Sequence, residues 1–268
     1  MKQHESAILT LTDLHFGKKT ATFNPDKFAA RLANVSKRIT RIHSLLSDYK
    51  LDELVICLLG DVNDGTGIYP TQFHHQAISN VEEQADILSE LLAKFARGQC
   101  SVWKKIRVEC VAGNHGRGGR EAHEAANWDI VAYRYLAKDL ADDEIKVNIG
   151  SEGNPFLRKI QVRKHKYLLY HGHEIRTFSN IPWYGMMLRL LRWNTTKRLA
   201  PFDVVLMGHF HSWGVWQINR VKLFCNGTFV SDDEWALQTF GWESANKTWL
   251  FGVSDHRPVT WQFGLELE

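Results

Sequence analysis

The chain is poor in cysteine, with four in 268 residues and no CxxC pair among Cys57, Cys100, Cys110 and Cys225. Three of the four sit in or beside apolar runs, where a reduced thiol packs as a small hydrophobe, so the chain reads as reduced and cytoplasmic. It also lacks any apolar run near the ~20 residues that cross a bilayer, which excludes a transmembrane helix and a membrane partner. The first residues, MKQHESAILTLTDLHFG, lack the long apolar core and small-residue cleavage site of a secretory signal. No internal repeat, low-complexity tract or Pro/Gly-rich linker interrupts the chain, so residues 1–268 read as one domain. With 44% hydrophobic and 24% charged residues, collagen-like and wholly disordered classes are excluded as well.

Acid is missing from one place in particular. Between Pro155 and Ala200 ten cations face the single acid Glu174, a segment charge of +9 that leaves −6 for the rest of a chain of net charge +3. Such asymmetry fits a surface that meets phosphates, or a solvated basic face without a partner. The part from about 174 to 201 is rich in aromatic residues too, with Trp183, Tyr184 and Trp193 among Arg176, Arg189, Arg192, Lys197 and Arg198. Rings beside cations suit a single-stranded nucleic acid. The same spacing suits an amphipathic helix that packs Met, Leu and Trp on the core and turns its arginines outward.

Five short apolar runs punctuate the chain: Ala7–Leu11, Leu54–Leu59, Ile106–Ala112, Tyr167–Tyr170 and Val204–Met207. They are too short for helices and continuous enough for strands buried on both faces. Helical spacing fills the intervals. Phe28, Leu32, Val35, Ile39, Ile42 and Leu46 follow Asn24 as N-cap and Pro25 at the first helical position. Ile78, Val81, Ala85, Leu88, Leu92 and Phe95 predict a second helix ending at Gly98, and a third covers about Glu121 to Leu140. From Val215 the texture is strand-rich, with turns expected at Asn226-Gly227 and Ser254-Asp255. The expected architecture is layered α/β with two packed sheets.

Every one of the five runs ends in ligand-type side chains: Asp13 and His15, Asp61, Asn114 and His115, His171, then His209 and His211. Ligand groups of open α/β sheets collect beyond the carboxyl ends of strands. Imidazole, carboxylate and amide oxygen suit first-row divalent cations, and the absence of cysteine argues against structural zinc.

Asp13-Leu14-His15, Gly60-Asp61-Val62-Asn63-Asp64, Gly113-Asn114-His115, His171-Gly172-His173 and Gly208-His209-Phe210-His211 resemble the calcineurin-like metallophosphoesterase signature. That signature reads DxH, GDxxD, GNH, an isolated His in HG or HGH, and GHxH, and the five blocks stand here in family order. The resemblance implies a four-layer α/β/β/α sandwich of two mixed sheets flanked by helices, and a binuclear centre. Asp13, His15 and His211 match ligands of a first metal, Asp61 matches the bridging carboxylate, and Asn114, His171 and His209 match ligands of a second. His115 matches the general acid of the family, Asp64 a residue that orients His15 or a neighbouring ligand, and His173 a supporting or substrate-contacting group. Arg117 and Arg120 are candidate phosphate clamps, as bidentate donors in a flexible loop. The implied reaction is attack of a metal-bound hydroxide on phosphorus, with Mn²⁺ preferred and Fe, Zn or Ni fitting similar shells.

The chain departs from its family in two places. Many relatives carry an acid directly after GNH, where this chain has Gly116. The GDxxD block is followed by Gly65 rather than the Arg of protein serine/threonine phosphatases, which weakens a protein-phosphatase reading. The leading expectation is a phosphodiesterase acting on nucleic acid, similar to nuclease subunits of DNA-repair complexes. A phosphatase or phosphodiesterase for small nucleotides or other small phosphate esters comes second, and a catalytically silent nucleic-acid-binding module third. Trp213, two residues after His211, is expected to wall the site, and His74 and His75 to lie at the surface.

Overall fold

All five apolar runs build strands in the computed structural model, which describes residues 3–119, 121–150, 154–177, 182–234, 237–238, 241 and 243–268. In the first sheet β1 (Gln3–Leu11), β2 (Tyr49–Leu58), β3 (Lys105–Cys110) and β4 (Lys146–Ile149) run parallel. The second sheet holds β5 (Leu157–Val162), β6 (His165–Tyr170), β7 (Val204–Met207), β8 (Gly214–Ile218) and β9 (Val221–Cys225), in the order β5-β6-β7-β9-β8. Its three middle strands are parallel and its two edge strands antiparallel. The chain then returns to the first sheet, where β10 (Lys247–Val253) and β11 (Gln262–Glu266) join antiparallel beside β1.

Alternation along the strands sorts the side chains into three apolar layers. Leu9, Leu11, Leu54, Ile56 and Val108 face α1 (Pro25–Leu45), α2 (Val81–Gln99) and α3 (Trp128–Asp139). Ile8, Val55 and Cys57 face the other way and meet Tyr167, Leu169, Val204 and Leu206 between the sheets. Leu168, Tyr170, Val205 and Met207 point outward onto Met186, Leu190 and Trp193 of α4 (Trp183–Asn194). The order is therefore helices, sheet, sheet, helix, as the resemblance implies.

Capping follows the sequence in α1, where the Asn24 side chain accepts the Lys27 N–H at 2.8 Å. The helix expected from Glu121 begins instead at Trp128, because Asn127 takes the Asp129 N–H at 2.9 Å and sets the N-terminus there. Ile78 likewise precedes α2, which Asn80 caps, and Gly98 lies inside its last turn. Asn226-Gly227 is no hairpin turn. Asn226 is buried and accepts from Thr10 Oγ1 at 2.6 Å, whereas the β8–β9 hairpin turns at Asn219, whose φ is 53°. The chain does turn at Ser254-Asp255, between β10 and β11. α4 is the expected amphipathic helix with one addition: Tyr184, Leu188 and Leu191 form a second, exposed apolar stripe opposite the buried one. Among the described residues no helix is long and apolar enough to cross a membrane.

Candidate metal centre

The candidate ligands follow the carboxyl ends of β1, β2, β3, β6 and β7, so both sheets supply them. Asp13, His15, Asp61, His209 and His211 have φ of 50°, 43°, 49°, 72° and 49°, the left-handed region that costs a non-glycine residue energy. Five such residues in three turns mark a place where surrounding structure holds strained backbone. Gly113 lets the turn after β3 close tightly on the turn after β2, since a Cβ on it would overlap the Asp61 carboxylate.

Three overlapping groups of metal-capable side chains result among the described residues: Asp13, His15 and His211; Asp61, His171 and His209; and His15, Asp64 and His115. In the first, His211 Nε2 lies 3.4 Å from Asp13 Oδ1 and 3.3 Å from His15 Nε2. Asp13 Oδ2 is occupied, accepting from Thr12 Oγ1 at 2.7 Å and the His209 N–H at 2.9 Å, while the buried Oδ1 has no donor. His15 turns Nδ1 toward Asp64 Oδ1, 3.4 Å away, which leaves Nε2 facing Asp13 and His211. In the second group the His171 Nδ1–H donates to the Leu59 carbonyl at 2.8 Å. Its Nε2 then meets Asn114 Oδ1 at 2.9 Å and Asp61 Oδ2 at 3.0 Å, with His209 close by. Nitrogen lone pair, amide oxygen and carboxylate oxygen cannot satisfy one another; they need a proton or a cation among them.

The charges fit that need. Burial pushes the Asp61 carboxyl up, but His171 and His115 outweigh it and hold the group well below the usual carboxylate range. Burial opposes protonation of His171, yet Asp61 beside it raises the ring to about 9. His209 is pulled down to about 3 and His115 to about 4, both by burial. The donor set of oxygen and imidazole nitrogen, largely buried, fits a divalent metal ion.

The remaining candidates surround these groups. His115 packs edge-on to His15 at 4.5 Å, and its Nδ1–H donates to the Asp64 carbonyl at 3.1 Å. Asp64 Oδ1 also lies 3.7 Å from that nitrogen, so Asp64 stands beside both rings. An acid after Asn114-His115 has no room, because a Cβ at Gly116 would overlap the Asn127 side chain. His173 sits beside the second group, 5.7 Å from His171 between ring centres, with its Nδ1 unpartnered. Arg117 donates from Nε to the Asn114 carbonyl at 2.9 Å and from a terminal nitrogen to Tyr69 at 3.3 Å. Arg120 lies outside the described residues. Trp213 stacks on Trp249 at 4.1 Å and packs against the core between the sheets, rather than walling the site; His74 and His75 are exposed, as expected.

Two further residues were not legible in the sequence. The Tyr69 hydroxyl accepts from Asn114 Nδ2 at 2.6 Å, which turns Oδ1 of that amide toward His171. Asp129, fully buried, accepts backbone N–H groups of Asp61, Asn63 and Gly113, and burial and the Asp61 charge raise it to about 6. A first-turn helix acid and a loop tyrosine carry no spacing that would single them out.

No family model matches the chain. It is similar to the DNA polymerase II small subunit of Archaeoglobus fulgidus, 24% identical over 284 residues that cover 96% of this chain and 52% of that protein. The chain thus spans about half the length of this curated relative. Among solved structures, a novel archaeal phosphodiesterase is matched over 97% of this chain and 99% of its own, at 11% identity and a TM-score of 0.44. Vps29 from Cryptosporidium parvum is matched over 98% of each chain, at 12% identity and a TM-score of 0.44. The phosphoesterase YfcE from E. coli is matched over 97% of this chain and 100% of its own, at 14% identity and a TM-score of 0.39. With helices on both outer faces of two mixed sheets, and the five ordered blocks at the ends of their strands, the chain has the four-layer α/β/β/α architecture that its resemblance to the calcineurin-like metallophosphoesterases implies.

Proposed function

We propose that the chain is a binuclear metal-dependent phosphoesterase that hydrolyses phosphodiester bonds in nucleic acid. One observation carries this reading: at the strand ends Asp13, His15 and His211, and beside them Asp61, His171 and His209, each bring metal-capable atoms together, and the buried Asp13 Oδ1 has no donor. Asp13, His15 and His211 would hold one ion and Asn114, His171 and His209 the other, with Asp61 between them. Two divalent ions, Mn²⁺ by preference, would orient the phosphoryl group and lower the pKa of a water between them. Asp64 keeps His15 turned toward its ion, and Tyr69 does the same for Asn114.

His115 is the proposed general acid. Its Nδ1–H is committed to the Asp64 carbonyl, so the transferable proton is the one Nε2 carries in the imidazolium form, which burial disfavours and a neighbouring phosphate would favour. As the ester P–O bond breaks, that proton passes to the departing oxygen. Arg117 uses two of its donors to fix its own position and keeps the others for phosphate oxygens. Arg120 and His173 are proposed as further substrate contacts.

Nucleic acid is favoured by the basic segment, although only part of it is free. Arg158 pairs with Glu109 at 3.2 Å, Arg163 with Asp255 at 3.6 Å, and Lys159 donates to carbonyls of Arg198 and Leu199. Arg192, Lys197 and Arg198 remain exposed at the end of α4. The name of the curated relative, a DNA polymerase subunit, points the same way. The test is a panel with Mn²⁺: single- and double-stranded DNA, RNA, cyclic nucleotides, mononucleotides and bis(p-nitrophenyl) phosphate. Cleavage of an oligonucleotide is expected. Turnover of the small esters alone would replace the nuclease by a small-substrate enzyme, and no turnover at all would reject the phosphoesterase.

A further inference from the structure

The turns after β2 and β3 each end a parallel strand and each leave backbone N–H groups pointing into the protein. Buried N–H groups without acceptors are costly, and a strand end has no ladder left to supply them. Here a single side chain answers for three. Asp129 Oδ2 accepts from Asp61 N–H at 2.9 Å and Gly113 N–H at 2.8 Å, and Oδ1 accepts from Asn63 N–H at 3.1 Å. Its neighbours close the same joint: Asn127 Nδ2 donates to the Gly113 carbonyl at 2.8 Å, and Asn63 Nδ2 to the Trp128 carbonyl at 3.0 Å. The start of α3 is thus a clip across the turns that present Asp61 and Asn114.

The chemistry of the clip is specific to a carboxylate. Two oxygens with lone pairs meet four donors, the three backbone N–H groups and Asn63 Nδ2 at 3.4 Å, and the negative charge strengthens each bond. An amide of the same shape would bring one oxygen and one NH₂ group, whose two N–H donors would face donors. The clip also holds Asp61 in its left-handed backbone, at a φ of 49°, and holds Gly113 where no Cβ fits. A shift of either turn moves Asp61 relative to Asn114 and His171.

We infer that Asp129 is a positioning residue of the metal centre, setting the spacing of Asp61 and Asn114 through their backbones while touching no ion itself. The inference rests on the reading of Asp61 and Asn114 as metal ligands. It is tested on the full chain, stripped with EDTA and titrated with Mn²⁺ by calorimetry, beside thermal melting without metal. Asp129→Asn should bind Mn²⁺ about 10–100-fold more weakly, the usual effect of losing a side chain that orients ligands. Leu136→Ala, which opens the core under the same helix away from the turns, should lower the melting temperature yet leave Mn²⁺ affinity unchanged. Wild-type affinity in Asp129→Asn, or an equal loss in Leu136→Ala, would make Asp129 a strut of the fold and overturn the inference while the ligand reading stands. Failure of the wild-type chain to bind Mn²⁺ would reject the ligand reading, and the inference with it. If Asp129→Asn does not fold, Asn127→Ala loosens the clip from its other side and must weaken Mn²⁺ binding too; unchanged affinity there is equally fatal.

Discussion

At the scale of single residues, the division of labour between His115 and the groups around it is the sharpest consequence of the geometry. His115 lies outside both acceptor groups assigned to the ions, bonded through its backbone N–H to Asp61 Oδ1 at 2.7 Å and through its ring to Asp64. His115→Ala should therefore keep both metals and slow hydrolysis by about 10²–10⁴-fold, the range for a lost general acid. The defect should shrink for p-nitrophenyl esters, whose leaving group needs little protonation; loss of a metal in this variant would make the ring a ligand. The ligand-type side chains were legible because strand-end Asp, Asn and His are rare in such an ordered set. Tyr69 and Asp129 were not, because their partners are an amide 45 residues away and backbone N–H groups 16 to 68 residues away. Burial also moves His115 to about 4 from the unperturbed value near 6.5, and burial at a strand end is a tertiary property that no local spacing encodes.

Secondary-structure elements were legible where one local signal dominated. Asn24 and Pro25 announce α1, and the cap bond forms as expected. Asn24→Ala should lower stability by about 1 kcal/mol in chemical denaturation with no effect on metal binding; a loss near zero would mean that Pro25 alone sets the helix start. α3 failed locally because helical spacing from Glu121 competes with the Asn127 cap, and a capping side chain decides a boundary that periodicity leaves open. Asn226-Gly227 failed for a tertiary reason, since Asn226 is drawn into a buried network with Thr10 and Thr248. α4 carries the substrate question. Replacing Arg192, Lys197 and Arg198 together by Gln should weaken oligonucleotide binding. The slope of log K against log [salt] should flatten by about 0.7–0.9 for each phosphate that is no longer neutralised. Hydrolysis of bis(p-nitrophenyl) phosphate should hardly change; an untouched affinity and slope would leave these cations as a solvated face.

For the molecule as a whole, the architecture brings together what the sequence keeps far apart. Asp13 follows a strand of the first sheet and His211 a strand of the second, with most of the chain between them, yet they stand 3.4 Å apart in space. Alternating strands and helices with a strand-rich end were enough to anticipate two packed sheets, and the resemblance carried by the five ordered blocks added the helices outside. The pairing that returns β10 and β11 to the first sheet was not anticipated, because antiparallel edge strands of ordinary composition carry no address. A metal centre that draws on both sheets is the central claim, and the count of ions per chain tests it most directly. After reconstitution with Mn²⁺ and gel filtration, elemental analysis should find two ions per wild-type chain. In Asp61→Asn, which removes the shared anion, it should find almost none. Fewer than two in the wild type, or two retained in Asp61→Asn, would contradict the account.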